Sequence, residues 1–135
     1  MTYIRPKYDF HKFTLISYSE QPPKNINEQL QWLGSSFGLF NLRDKDSSCF
    51  RVFIELIKHK DGITAEELSK RVNLSRATTI HHLNKLIDSG IAIYEKKKYR
   101  LRAMTMSEII DEITADINAT LLRIKEIAQN IDGKL

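Results

Sequence analysis

The 135-residue sequence is poorest in cysteine. It has one, Cys49, so neither an intramolecular disulfide nor a cysteine-built zinc cage is possible. No apolar run approaches the ~18 residues that a membrane span requires. The N-terminal MTYIRPKYDFHKF scatters charges where a secretory signal needs an apolar stretch. There is no glycine-rich phosphate loop, no nucleophile with an identifiable base and no metal-ligand spacing, so no catalytic constellation is present and no cofactor is expected. Two of the three prolines are adjacent, Pro22-Pro23, and mark a boundary. These absences predict a cytoplasmic protein that is not an enzyme and has no membrane partner.

What is present is an ordinary globular composition, 41% apolar and 28% charged, in a chain long enough to bury a core unaided. The net charge of +4 is unevenly placed. Residues 1–45 carry +2, residues 46–104 carry +5 and residues 105–135 carry −3. From Lys70 to Arg102 there are nine basic and two acidic residues, a stretch that would attract a polyanion.

Four segments follow. Residues 1–24 form an extension in which aromatic and basic residues alternate (Tyr3, Arg5, Lys7, Tyr8, Phe10, Lys12, Phe13). It is expected to be mobile or to form a short strand over Phe13–Tyr18. Residues 25–45 hold a short helix, capped at Asn25 with Glu28 in capping-box position and ending near Gly34, and then a connection. Phe37, Leu39, Phe40 and Leu42 are buried anchors of that connection.

Residues 46–104 hold the most regular pattern. Asp46 or Ser47 caps a helix to about Lys60, with Phe50, Phe53, Ile54 and Ile57 at helical spacing. Thr64 opens a second helix ending at Val72, and Asn73-Leu74-Ser75 is a three-residue turn. Ser75 caps a third helix that stops before Gly90. The period then changes from helical to alternating. Ile91 and Ile93, then Tyr99 and Leu101, predict a hairpin with a basic tip and a basic outer face. Its turn has no glycine.

Residues 105–135 read as one helix, from Ser107 to Ile131. Ile110, Ile117, Ile124 and Ile131 recur every seven residues, with Ile113, Thr120 and Ile127 between them. Such a seam predicts self-association, through Ile110, Ile113, Ile117, Leu121, Ile124 and Ile127. The fold class is therefore mainly α with a small β-hairpin wing: a winged helix-turn-helix followed by a long C-terminal dimerisation helix.

On a helical wheel the third helix sorts its residues. Thr79, Ile80, Leu83, Leu86 and Ile87 gather on one side, and Ala77, Thr78, His81, His82 and Lys85 on the other. The second set is small, polar or basic, as suits a helix lying in a major groove. The expected DNA-binding residues are Ser75, Arg76, Thr78, His81, His82 and Lys85 of the helix and Lys96, Lys97, Lys98 and Arg100 of the hairpin. Adjacent histidines diverge by about 100° on a helix, so His81 and His82 are poorly placed to share a metal. Cys49 falls in a first helical turn, which favours a thiolate, but a plain half-buried cysteine is the preferred reading.

The stretch GITAEELSKRVNLSRATTIHHLNKLIDSGIAIYEKKKYRLR resembles the DNA-binding core of ArsR-type and archaeal TrmB-like winged-helix regulators. The likeness is most specific over Leu74 to Leu83 and at Ser89-Gly90-Ile91, and covers about residues 47–102. It implies a transcription regulator on double-stranded DNA, which the isoleucine seam of the last helix predicts to act as a homodimer. Metal-sensing members carry cysteines in the first short helix or Asp/His pairs on the last. Thr64–Val72 has no cysteine, and the last helix has Asp111, Glu112 and Asp116 but no histidine, so a metal sensor is disfavoured. No small-molecule effector is identified by these residues. The alternative is a winged-helix module binding protein or RNA within a larger assembly; apolar residues on the exposed helix face would favour it.

Overall fold

The computed structural model describes residues 11–40 and 48–135. Its elements are α1 (Ile26–Ser36), α2 (Ser48–Lys58), α3 (Ala65–Val72), α4 (Arg76–Asp88), β1 (Ala92–Glu95), β2 (Lys98–Leu101) and α5 (Met106–Lys134). The mainly helical class with a two-stranded wing is as the periodicity predicts. Asp46, Ser47, Leu42 and residues 3–10 of the aromatic and basic stretch lie outside the described residues.

The helix starts are set by side chains that satisfy otherwise unpaired backbone N–H groups. Asn25 accepts from Asn27 and Glu28, Thr64 from Glu67, Ser75 from Thr78 and Thr105 from Glu108. Helix α1 runs past Gly34 to Ser36. Gly34 serves packing instead of termination, because a Cβ there would overlap the Phe40 ring. Helix α2 stops at Lys58, two residues before the expected end, and Gly62 closes the following turn on the His59 carbonyl.

The described part of the N-terminal extension contains no strand. It makes two separated backbone bonds, from Lys12 to the Asp88 carbonyl and from Ile16 to the Ser36 carbonyl, both 2.8 Å. Those carbonyls end α4 and α1, where no intrahelical donor remains. Helix ends offer isolated acceptors and no continuous edge, so a ladder does not form.

The chain divides into two units, one ending at Arg102 and the other Ala103–Leu135. In the first, α2, α3 and α4 pack on one another, and α2 and α4 pack on the hairpin. Val52, Phe53, Leu56, Leu68, Leu83, Leu86 and Ile91 are fully or almost fully buried at their centre. Removing that much apolar surface from water is the main stabilising term at about 25 cal/mol per Å². Thr79 is buried among them and returns its hydroxyl to the Ser75 carbonyl at 2.9 Å, so that hydroxyl is not stranded. Ser69 does the same with the Ala65 carbonyl at 2.6 Å.

The strands pair antiparallel, Ala92 with Leu101, Ile93 with Arg100, Tyr94 with Tyr99 and Glu95 with Lys98. This corrects the expected alternation by one residue. Ile91 is buried in the corner after α4, its N–H bonded to the Leu86 carbonyl, and the pleat begins at Ala92. Ala92 and Tyr94 therefore share a face with Leu101 and Tyr99, while Ile93 lies with Arg100 on the other. A short bridge, Ile63 with Tyr99, extends the sheet by one residue pair that the sequence pattern did not signal.

The second unit is α5, 29 residues long. At 1.5 Å per residue it spans roughly 43 Å. Ile109 and Ile113 are buried, whereas Leu121, Leu122, Ile124, Ile127 and Ile131 are exposed. No helix of the described residues is long and apolar enough to cross a membrane.

Candidate nucleic-acid interface

Helix α4 follows α3 after the turn Asn73-Leu74-Ser75. Asn73 adopts a left-handed conformation at φ 55°, a region that asparagine tolerates better than most residues. Leu74 donates its N–H back to the Ser69 carbonyl at 3.1 Å, which closes the turn. The Ser75 hydroxyl is committed twice: it accepts from the Thr78 N–H at 3.1 Å and donates to Thr78 Oγ1 at 2.9 Å. Ser75 thus works as the cap that starts α4.

The exposed residues of α4 are Arg76, Ala77, Thr78, His81 and Lys85. No large apolar side chain interrupts this set. Ala77, His81 and Lys85 are spaced by four and form one ridge, with Thr78 beside it. The face is slim and polar, and is bounded by positive charge.

Three expected contacts are engaged elsewhere. His82 is half-buried, with Nε2 2.7 Å from Ser48 Oγ. Lys85 reaches back, its Nζ donating to the Leu39 carbonyl at 2.9 Å. Arg100 is half-buried and paired, with its guanidinium 3.3 Å from Glu95 and 3.2 Å from the Leu101 carbonyl. These side chains are held by the protein itself. A wheel sorts residues by angle, and His82 lies close enough to the boundary for a partner on α2 to draw it inward.

The hairpin closes tightly. Glu95 and Lys98 pair, leaving the two-residue loop Lys96-Lys97, with φ 54° and 66°. Positive φ at both positions is the type I′ geometry that matches strand twist, usually met with Asn-Gly. Lysine there stores strain of about 1 kcal/mol or more at each position. All three lysines, Lys96 to Lys98, are exposed. The paired strands impose this turn and so place two adjacent lysines at the tip of the projection.

A cleft of about 330 Å³ joins these parts. Arg76 of α4, Lys97 and Tyr94 of the hairpin, and Thr64 and Glu66 at the start of α3 line it. The first turn of α4 and the wing tip therefore open onto one concavity.

Titration marks two side chains nearby. Cys49 is buried, and desolvation pushes its thiol up to about 11, against the opposing charge of Lys85. The thiol stays protonated at neutral pH, against the activating effect of the helix start. His82 is lowered from its ordinary value by burial first, then by the positive charges of His81, Lys85 and Arg51. No cluster of three metal-ligating side chains occurs among the described residues.

Two helices in a tight turn, the second presenting a slim polar face, and a basic hairpin beside it define a winged helix-turn-helix. Residues 54–92 match the winged helix-turn-helix DNA-binding family, a span from the middle of α2 to the start of β1. The fold is thus a winged helix-turn-helix, and its central part is similar to that DNA-binding family. No curated protein and no solved structure matches it.

Proposed function

We propose that the protein is a homodimeric, sequence-specific regulator of transcription that binds double-stranded DNA and performs no catalysis. The observation that carries this reading is the shared cleft: Arg76 at the start of α4 and Lys97 at the wing tip open onto one concavity, beside the exposed Thr78 and His81. Thr78 and His81 read base edges in the major groove. Arg76 and Lys96 to Lys98 hold phosphates and fix the register. His82, Lys85 and Arg100, engaged within the protein, leave the contact set.

Dimerisation runs through the distal part of α5. Ile113 is 2% exposed and closed to a partner, and Ile110 and Ile117 are half-buried. Ile124, Ile127 and Ile131 are at least half exposed and continue the seven-residue repeat, and the exposed Leu121 widens the same stripe. A second copy of the same helix is the partner suited to such a stripe. The C-terminal part carries −3 and belongs away from DNA. Two copies then meet half-sites one helical turn apart, about 10–10.5 bp, or a multiple of it.

The test is a salt series on random-sequence duplex DNA with the wild type and with Lys96, Lys97 and Lys98 replaced by alanine. Binding should weaken on all sequences alike, and the slope of log K against log salt should flatten by about one unit per lost contact. Unchanged affinity at low salt removes the wing from the interface and overturns the reading.

A further inference from the structure

His82 and Lys85 are three residues apart on α4, and each is tethered to the body of its unit. His82 shares a 2.7 Å hydrogen bond with Ser48, the first residue of α2. Lys85 donates to the carbonyl of Leu39, just beyond α1, at 2.9 Å. The two tethers bracket the connection between α1 and α2. The remaining α4 contacts with the core, through Thr79, Leu83 and Leu86, are mainly apolar. Apolar packing is non-directional, whereas a hydrogen bond constrains both distance and angle.

Rotation matters at this helix. At a radius of about 5–6 Å with side chains, a 10° roll displaces a side-chain tip by about 1 Å. Recognition needs placement within about 0.5 Å. Thr78 and His81 stand one turn and one residue from His82 on the same rigid helix.

We propose that the Ser48–His82 pair, with Lys85–Leu39 as second tether, is a positioning clasp that sets the rotation of α4 and hence which bases Thr78 and His81 meet. Ser48 and His82 determine specificity without touching DNA. The inference rests on the DNA-binding reading above. The surroundings fit a clasp built on a neutral ring. Arg51 faces His82 from α2, and His81 and Lys85 face it from α4. His82 Nδ1 is buried and has no hydrogen-bond partner among the described residues. A half-satisfied polar contact contributes little to stability, and its use is in fixing one arrangement.

The experiment uses the full chain and two probes: a duplex selected from a random library by the wild type, and unselected random duplex. Ser48→Ala should lower the ratio of selected to random affinity about tenfold, while random-duplex affinity and its salt slope stay as in the wild type. Ser48→Thr, which keeps the hydroxyl, should restore the ratio. His82→Gln, whose amide can still reach Ser48, should retain most of it, and His82→Leu should not. Should Ser48→Ala fail to fold by circular dichroism, the His82→Gln and His82→Leu comparison decides alone. An unchanged ratio in folded Ser48→Ala, or equal ratios in the two His82 variants, overturns the clasp and leaves DNA binding standing. A wild type that binds no duplex at low salt overturns both.

Discussion

Lys97 has two physical roles whose loss acts on two different readouts. Its backbone occupies the left-handed region at φ 66°, and its ammonium sits at the wing tip. Lys97→Gly removes the strain and the charge together. Stability should rise by about 0.5–1 kcal/mol, since relief of the left-handed penalty exceeds the extra freedom glycine gains on unfolding. DNA affinity should fall, with a salt slope shallower by about one unit. Urea midpoints and salt-titrated binding, measured on one preparation, check both signs. A loss of stability would mean that the turn is not strained.

His82 gives a pH dependence of definite sign. Its pKa in the folded state is lowered by burial and by His81, Lys85 and Arg51, whereas the unfolded chain titrates at the ordinary 6.5. Below 6.5 the unfolded state binds more protons, so stability falls as pH drops from 6.5 through the folded value. Above that window both states are neutral at His82 and its contribution is flat. Other groups titrate as well, so the informative quantity is the difference from His82→Gln. Urea midpoints at pH 7.5 and at about pH 5 should show the wild type losing more stability than His82→Gln.

At the scale of the element, α4 divides by position. Thr78 and His81 lie on its exposed face, and Arg76 lies in its first turn and lines the cleft. Thr78→Ala or His81→Ala should cost about 1–3 kcal/mol at a preferred site and little on random duplex. Arg76→Ala should weaken both probes equally. Gel-shift affinities on a selected and a random duplex distinguish these outcomes. Sequence preference set by Arg76, with Thr78 and His81 silent, would mean that α4 meets DNA in a different rotation.

The elements also differ in how far they could be read in advance. The starts of α1, α3 and α4 follow from Asn25, Thr64 and Ser75, because capping is local chemistry between residues two or three apart. The end of α4 follows from Gly90, which adopts φ 84°. The hairpin was legible as a hairpin but not in its register. Ile91 looked like a strand residue and is a corner residue, because its N–H is taken by Leu86. Pairing partners far apart in sequence, such as Ile63 and Tyr99, leave no periodic trace.

For the molecule as a whole, the question is assembly. Ile124 and Ile127 are 57% and 59% exposed on a helix that continues a seven-residue repeat. Ile124→Asp with Ile127→Asp should convert a dimer to monomers at tens of micromolar, measured by sedimentation. The monomers should bind a two-half-site duplex more weakly while keeping their affinity for a single half-site, since the dimer gains from effective concentration. A wild-type monomer at that concentration would remove the dimer from the proposed function.

Sequence alone determined which kind of domain this is. Caps, periods and a basic stretch with a helix-turn-helix order are local or compositional signals, and they survive without knowledge of packing. It also marked the small and basic residues that an exposed recognition face needs. Tertiary structure decided which of those residues the protein itself engages. His82 is held by Ser48, and Lys85 reaches Leu39. Ile113 is buried while Ile124 is exposed, although both belong to the same repeat. The physical reason is common to all three. A side chain's type is written in the chain, but its partner is contributed by whatever the fold brings alongside.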